Sequence, residues 1–77
     1  MSKRYVSESE LAALAKQFRL KAGKTKIETA ALLGVGRPSV QLAETDLGQS
    51  LFKLRKRMVE IYSPFKVTGP FYCLEPK

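Results

Sequence analysis

Apolar side chains recur at the three- and four-residue spacing of an α-helix in four segments of this chain. The spacing predicts helices over 8–22, 26–33, 37–45 and 49–62. The predicted inward stripes are Leu11, Leu14, Ala15, Phe18 and Ala22 in the first helix, Ile27, Ala30 and Leu33 in the second, Val40 and Ala43 in the third, and Leu51, Leu54, Met58 and Ile61 in the fourth. Because these stripes can pack on one another, we expect a mainly α fold.

Residues with capping properties mark the ends of these segments. Two Ser/Thr-x-x-Glu capping boxes begin the first and second helices, formed by Ser7 with Glu10 and by Thr25 with Glu28. Gly34 follows the second helix, where a left-handed residue commonly closes a helix. Pro38 suits the first turn of the third helix, because the N–H it lacks has no intrahelical partner there.

The pattern changes after Pro64 from helical spacing to alternation. Residues 65–68 alternate apolar and polar, 71–74 are rich in strand formers, and Gly69-Pro70 separates them. This predicts a short C-terminal β extension, either a hairpin or one bent strand. The chain then divides into a basic N-terminal arm over 1–6, a helical domain over 7–62 and a β-rich tail over 63–77.

Composition removes several classes of function. The chain has no histidine and a single cysteine, Cys73, so it lacks the commonest general base, the usual transition-metal ligands and an internal disulfide. We expect no enzyme, no metal and no cofactor. The N-terminus has no apolar stretch like that of a signal peptide, and no apolar run approaches the roughly 20 residues of a membrane span. We therefore expect a cytoplasmic protein with no membrane partner.

Charge points to a polyanionic partner. The net charge is +7, from 14 Lys and Arg against seven Asp and Glu. Between Leu11 and Ala43 a single acid, Glu28, accompanies six cations, which are Lys16, Arg19, Lys21, Lys24, Lys26 and Arg37. A second basic cluster is Lys53, Arg55, Lys56 and Arg57, for which the solvated side of the fourth helix is the plainer explanation. Composition does not choose between DNA, RNA and an acidic membrane surface.

Residues 25–44 resemble the helix-turn-helix of the phage repressor and Cro family, also called the Xre family. The matching features are the cap Thr25, the small Ala30 at a close helix crossing, the turn Gly34-Val35, the aliphatic Val40 and the acid Glu44. The similarity extends loosely to the first and fourth helices. It implies a four-helix repressor-like domain that binds double-stranded DNA through a recognition helix at about 37–45.

The chain departs from the family pattern at several positions. Thr29 replaces a usual leucine, Gly36 replaces the usual Ser or Thr cap of the recognition helix, and Thr45-Asp46-Leu47 precedes the expected glycine loop. Pro38 stands where the family often contacts a base, and proline offers no hydrogen bond there. The tail beyond Phe65 matches nothing in the family pattern.

Four residues of the third helix are candidate base contacts. Arg37 can donate to guanine O6 and N7, or bind a phosphate. Gln41 can pair with adenine or reach a phosphate, and Ser39 can touch either a base or a phosphate. Leu42 either packs on a thymine methyl or lies in the core, if the helical register differs by one residue.

Candidate phosphate contacts lie near helix N-termini, whose free N–H groups attract anions. They are Thr25 and Lys26 at the second helix, and Gln49, Ser50 and Lys53 at the fourth. By resemblance, both places clamp the DNA backbone. The resemblance also puts Glu44 inside the fold near the second helix, where a carboxylate needs a partner that the sequence does not identify.

One recognition helix reads few base pairs, so we expect a homodimer on a palindromic operator, acting as a transcriptional repressor. The tail offers an interface, because its apolar residues have no evident place on the four-helix core. These residues are Phe65, Val67, Phe71, Tyr72 and Leu74. In Cro-like proteins a C-terminal strand serves this purpose, so the resemblance agrees. The alternative is an antitoxin-like interaction module whose tail binds a partner protein.

Overall fold

A computed structural model describes residues 4–45, 51–68 and 73–77. Within these ranges the chain forms four helices and a three-stranded antiparallel sheet. The helices are α1 (Glu8–Lys21), α2 (Lys26–Leu33), α3 (Arg37–Thr45) and α4 (Phe52–Tyr62), and the strands are β1 (Arg4–Tyr5), β2 (Phe65–Thr68) and β3 (Cys73–Pro76). The predicted fold class, mainly α with a short β extension, is confirmed.

Local capping sets the ends of the first two helices. The Ser7 hydroxyl accepts the Glu10 N–H, and the Glu10 carboxylate accepts the Ser7 N–H. Thr25 and Glu28 repeat this reciprocal pair at the start of α2. A side-chain cap is worth about 1 kcal/mol, a useful contribution to a helix of eight residues. Gly34 closes α2 in the left-handed conformation, with φ at 69°.

Three of the predicted inward stripes each include one residue that is exposed in the structure. Ile27 is 65% exposed, because the buried stripe of α2 runs through Thr29, Ala30 and Leu33 instead. The Thr29 hydroxyl is buried against the Tyr62 hydroxyl, 2.8 Å away. Ala22 is likewise exposed, beyond the end of α1, and in α4 Ile61 is exposed while Val59 is fully buried.

The sheet encloses one side of the helical core. β3 lies between β1 and β2, with Tyr5 opposite Cys73 and Val67 opposite Leu74. The antiparallel pairing of β2 with β3 is that of a hairpin, not of one bent strand. Val67 and Leu74 are 1% exposed and belong to the core that the four helices share.

This packing corrects two expectations about the ends of the chain. Residues 4–6 are not a free arm, because β1 pairs with β3 and Val6 is buried. The tail does have a place on the core: Val67 and Leu74 are buried there, and Phe65 packs on Phe18 with ring centroids 6.4 Å apart. Phe71 and Tyr72 lie outside the described residues. None of the described helices combines the length and apolarity that a membrane crossing requires.

Candidate nucleic-acid interface

The outward face of α3 is polar and accessible. Arg37, Pro38 and Gln41 are exposed, while Val40, Ala43 and Glu44 are buried. Arg37 and Gln41 are four residues apart, so they lie one turn apart on the same face. The other two candidate base contacts, Ser39 and Leu42, are half-buried at the edges of this face. Leu42 is therefore neither a free surface residue nor a full member of the core.

The start of α2 lies beside this face. The Lys26 ammonium donates to the side-chain oxygen of Gln41, which links the first turn of α2 to the middle of α3. A groove of about 420 Å³ continues the surface from α3 to the α1–α2 loop. Its lining includes the cationic Lys24, Lys26 and Arg37 together with the exposed Leu20 and Ile27. The structure thus brings the predicted residues of α2 and α3 together on one cationic surface.

Thr25 is already occupied as a helix cap. Its hydroxyl accepts the Glu28 N–H at 3.1 Å, and its own N–H donates to the Glu28 carboxylate at 3.0 Å. The hydrogen bond with the Thr25 N–H, and to a smaller extent that with the Thr25 hydroxyl, lowers the pKa of Glu28 below its ordinary value. The Lys26 ammonium has three donors, and its contact with Gln41 uses one of them, so Lys26 is the stronger phosphate candidate of the two.

A buried arginine holds α3 in place behind this surface. Arg19 donates through Nε and Nη2 to the two carboxylate oxygens of Glu44, and through Nη1 to the carbonyl of Lys24. Glu44 is thus buried, as the resemblance implied, and Arg19 is the partner that sequence reasoning missed. The hydrogen bonds that Arg19 donates to Glu44 raise the pKa of Arg19 above its ordinary value. Arg19 is therefore a structural residue and not part of the exposed cationic surface.

One member of the basic cluster on α4, Arg55, is buried and does not lie on the solvated side of the helix. Arg55 is 0% exposed and donates from Nε to the Ala43 carbonyl at 2.7 Å and from Nη1 to Glu8 at 2.6 Å. It ties α4 to the end of α3 and to the start of α1. Arg57 donates to the Leu33 carbonyl at 3.1 Å, whereas Lys53 is exposed near the start of α4. Gln49 and Ser50 lie outside the described residues.

The exposed charge remains positive when the two buried arginines, Arg19 and Arg55, are left out. Of the six cations between Leu11 and Ala43, Arg19 is neutralised by Glu44, and the other five are exposed or half-exposed alongside one acid, Glu28. No three potential metal ligands come together within the described ranges. In comparisons with known proteins, no family model, curated protein or solved structure matches this chain.

Proposed function

We propose that this protein binds double-stranded DNA sequence-specifically through α3 and regulates transcription. One observation carries the proposal: the exposed polar face of α3 adjoins Lys24 and Lys26 at the start of α2, and the contact between Lys26 and Gln41 joins the two helices. The major groove of B-DNA is about 12 Å wide and admits an α-helix. With α3 in the groove, Arg37 and Gln41 meet base edges while Lys24 and Lys26 meet the flanking phosphates.

Duplex DNA suits this surface better than duplex RNA. The major groove of A-form RNA is too deep and narrow for side chains to read. An exposed helix flanked by lysines instead matches the arrangement by which helix-turn-helix proteins read DNA. The resemblance to the Xre family supports the same choice. Cytoplasmic location belongs to this proposal.

The homodimer on a palindromic operator is also part of the proposal, but the predicted interface needs revision. β3 lies between β1 and β2, and β1 pairs with Cys73 and Leu74, so these two residues offer no free edge to a second chain. On the outer edge of β2, the Val67 N–H donates to Glu60 at 2.9 Å and the Phe65 N–H to Ser63 at 3.2 Å. Strand pairing along β2 is therefore disfavoured. The antitoxin-like alternative is weakened in the same way, because Val67 and Leu74 are not available to a partner.

Selection of bound duplexes from a random pool tests the proposal. We expect a palindrome to emerge, with half-sites about one DNA turn apart. For a dimer that makes roughly eight phosphate contacts, the slope of log K against log salt should be about −7. Replacing Lys24 and Lys26 together with alanine should flatten the slope, and Lys66→Ala, which removes one exposed charge from β2, is the control. A slope near zero on every duplex rejects DNA binding, whereas one unrepeated half-site rejects only the dimer.

A further inference from the structure

A recess of about 230 Å³ lies on the outward face of α3, lined by Arg37, Pro38 and Gln41. Its walls differ in chemistry. The Pro38 ring is exposed and apolar, and the Arg37 guanidinium carries donors and no acceptor. The recess therefore combines an apolar wall with a hydrogen-bond donor, in the middle of the proposed DNA-binding surface.

The contact with Lys26 determines what Gln41 offers to this recess. An ammonium group has donors alone, so the side-chain oxygen of Gln41 has to face it. The amide nitrogen, with its two donors, then points away from Lys26. Gln41 thus presents donors beside Pro38, as Arg37 does.

We propose that this recess reads the 5-methyl group of a thymine next to the guanine that Arg37 contacts, which makes Pro38 a specificity-determining residue. In the major groove thymine presents a methyl group and the O4 acceptor, which match an apolar wall flanked by donors. Guanine offers acceptors without a methyl group, and adenine and cytosine present amino donors. The inference rests on the proposed function and adds the identity of one base to it.

Proline suits this task because its ring is rigid and loses no rotamer freedom when a ligand covers it. Pro38 lies in the first turn of α3, where its missing N–H leaves no helical hydrogen bond unmade. Burial of one methyl group is worth about 0.8 kcal/mol, which corresponds to about a fourfold change in Kd. We expect an effect of that size, smaller than the loss of a bidentate hydrogen bond.

The test replaces thymine with deoxyuridine, one position at a time, in the duplex selected from the random pool. This change removes the methyl group and preserves base pairing. We expect one thymine in each half-site to account for about a fourfold loss of affinity, next to the guanine whose identity ceases to matter in Arg37→Ala. Pro38→Ser should bind thymine and uracil duplexes equally at that position, and thermal unfolding of the free variant checks that it is folded.

Leu42→Ala is the matched control, because Leu42 is the other apolar side chain on this helix that could reach a methyl group. It should preserve the discrimination between thymine and uracil. If discrimination is lost in Leu42→Ala and retained in Pro38→Ser, the assignment to Pro38 is overturned. If duplexes are selected but uracil replaces every thymine without loss, methyl reading fails while DNA binding stands. If no duplex is selected, the proposed function itself fails.

Discussion

Arg19 and Glu44 meet in a two-point contact that fastens α3 to α1. The Nε–Oε2 and Nη2–Oε1 distances are 2.5 and 3.0 Å, and the side chains are 6% and 1% exposed. A third donor of Arg19 reaches the Lys24 carbonyl at 2.8 Å, immediately before the cap of α2. One guanidinium therefore fixes the start of α2 and the end of α3, the two elements that carry the proposed interface.

Breaking this pair should cost much more than losing a surface ion pair. Arg19→Met leaves the Glu44 carboxylate buried without its partner, so we expect the free energy of unfolding to fall by about 3–5 kcal/mol. Urea denaturation measures the change. The double variant Arg19→Met/Glu44→Leu should be more stable than Arg19→Met alone, because it buries no unpaired charge. A loss below about 1 kcal/mol in Arg19→Met would mean that the pair contributes no more than an exposed one.

Substitutions in the proposed interface should separate base reading from phosphate binding. Arg37→Ala should relax specificity at one position in each half-site, at a cost of roughly 1–3 kcal/mol in binding. Lys26→Ala should weaken binding to all sequences alike and reduce the salt slope. Binding of the selected operator and of single-base variants, measured by fluorescence anisotropy, gives both results. An equal loss on every sequence for Arg37→Ala would identify Arg37 as a phosphate contact.

The capping box of α2 should respond to acid. Glu28 has a pKa below the ordinary value of 4.5 because its carboxylate accepts the Thr25 N–H. The pKa of Glu28 is lower in the folded chain than in the unfolded chain. The carboxylate therefore stabilises the fold fully at a pH above the unfolded pKa, and this contribution is lost as the pH falls through the folded pKa. We expect the Thr25 amide to lose hydrogen-exchange protection below pH 4.5. Glu28→Gln keeps an acceptor without a titrating proton, and its protection should not show this acid step.

The sequence predicted best what local interactions decide. The caps Ser7, Thr25 and Gly34 mark the ends of α1 and α2 because each acts on backbone groups within four residues. In a helix as short as α2 the apolar spacing fits two adjacent stripes, and the sequence alone therefore predicts Ile27 in the core. The choice between the stripes depends on tertiary packing, here on the contact between Thr29 and Tyr62.

The buried arginines show where prediction from local pattern ends. Arg19 follows Leu11 and Ala15 at four-residue steps, so its place in an apolar stripe was a usable sign of burial. Its partner Glu44 is 25 residues away, however, and the partner of Arg55, Glu8, is 47 residues away. The pairing of β1 with β3 joins opposite ends of the chain in the same way. No periodicity along the sequence identifies such contacts, which depend on the completed fold.

The outer edge of β2 should promote self-association when the side chains that accept its N–H groups are removed. Glu60 and Ser63 accept the N–H groups of Val67 and Phe65, which point away from β3. Glu60→Ala combined with Ser63→Ala exposes both donors, and an uncovered edge recruits strands from other chains. We expect the double variant to form larger oligomers than the parent protein does, as measured by sedimentation over a range of concentrations. Glu60→Gln retains an acceptor and should self-associate no more than the parent protein. Equal self-association of all three proteins would mean that Glu60 and Ser63 do not protect the edge of β2.

Truncation after Ser63 should unfold the protein rather than release a folded monomer. The sequence alone predicts that the tail contacts a second chain, because its apolar residues have no evident place on the four-helix core. In the structure Val67 and Leu74 are buried in the core of their own chain, and each buried aliphatic side chain is worth about 1.5–3 kcal/mol. β1 would also lose the strand with which it pairs.

Lys77 adds to this loss, because its ammonium donates to the Ser63 carbonyl near the end of α4. A domain of this size has a total stability of roughly 4–12 kcal/mol, comparable with the sum of these contributions. Circular dichroism of the truncated chain should therefore show little native helix at room temperature. In the full chain, Leu74→Ala should cost about 2–5 kcal/mol, while Lys66→Ala on the exposed face of β2 should cost little. If the truncated chain keeps its helices and loses self-association alone, the tail is a dimerisation segment and its burial in the core contributes little to folding.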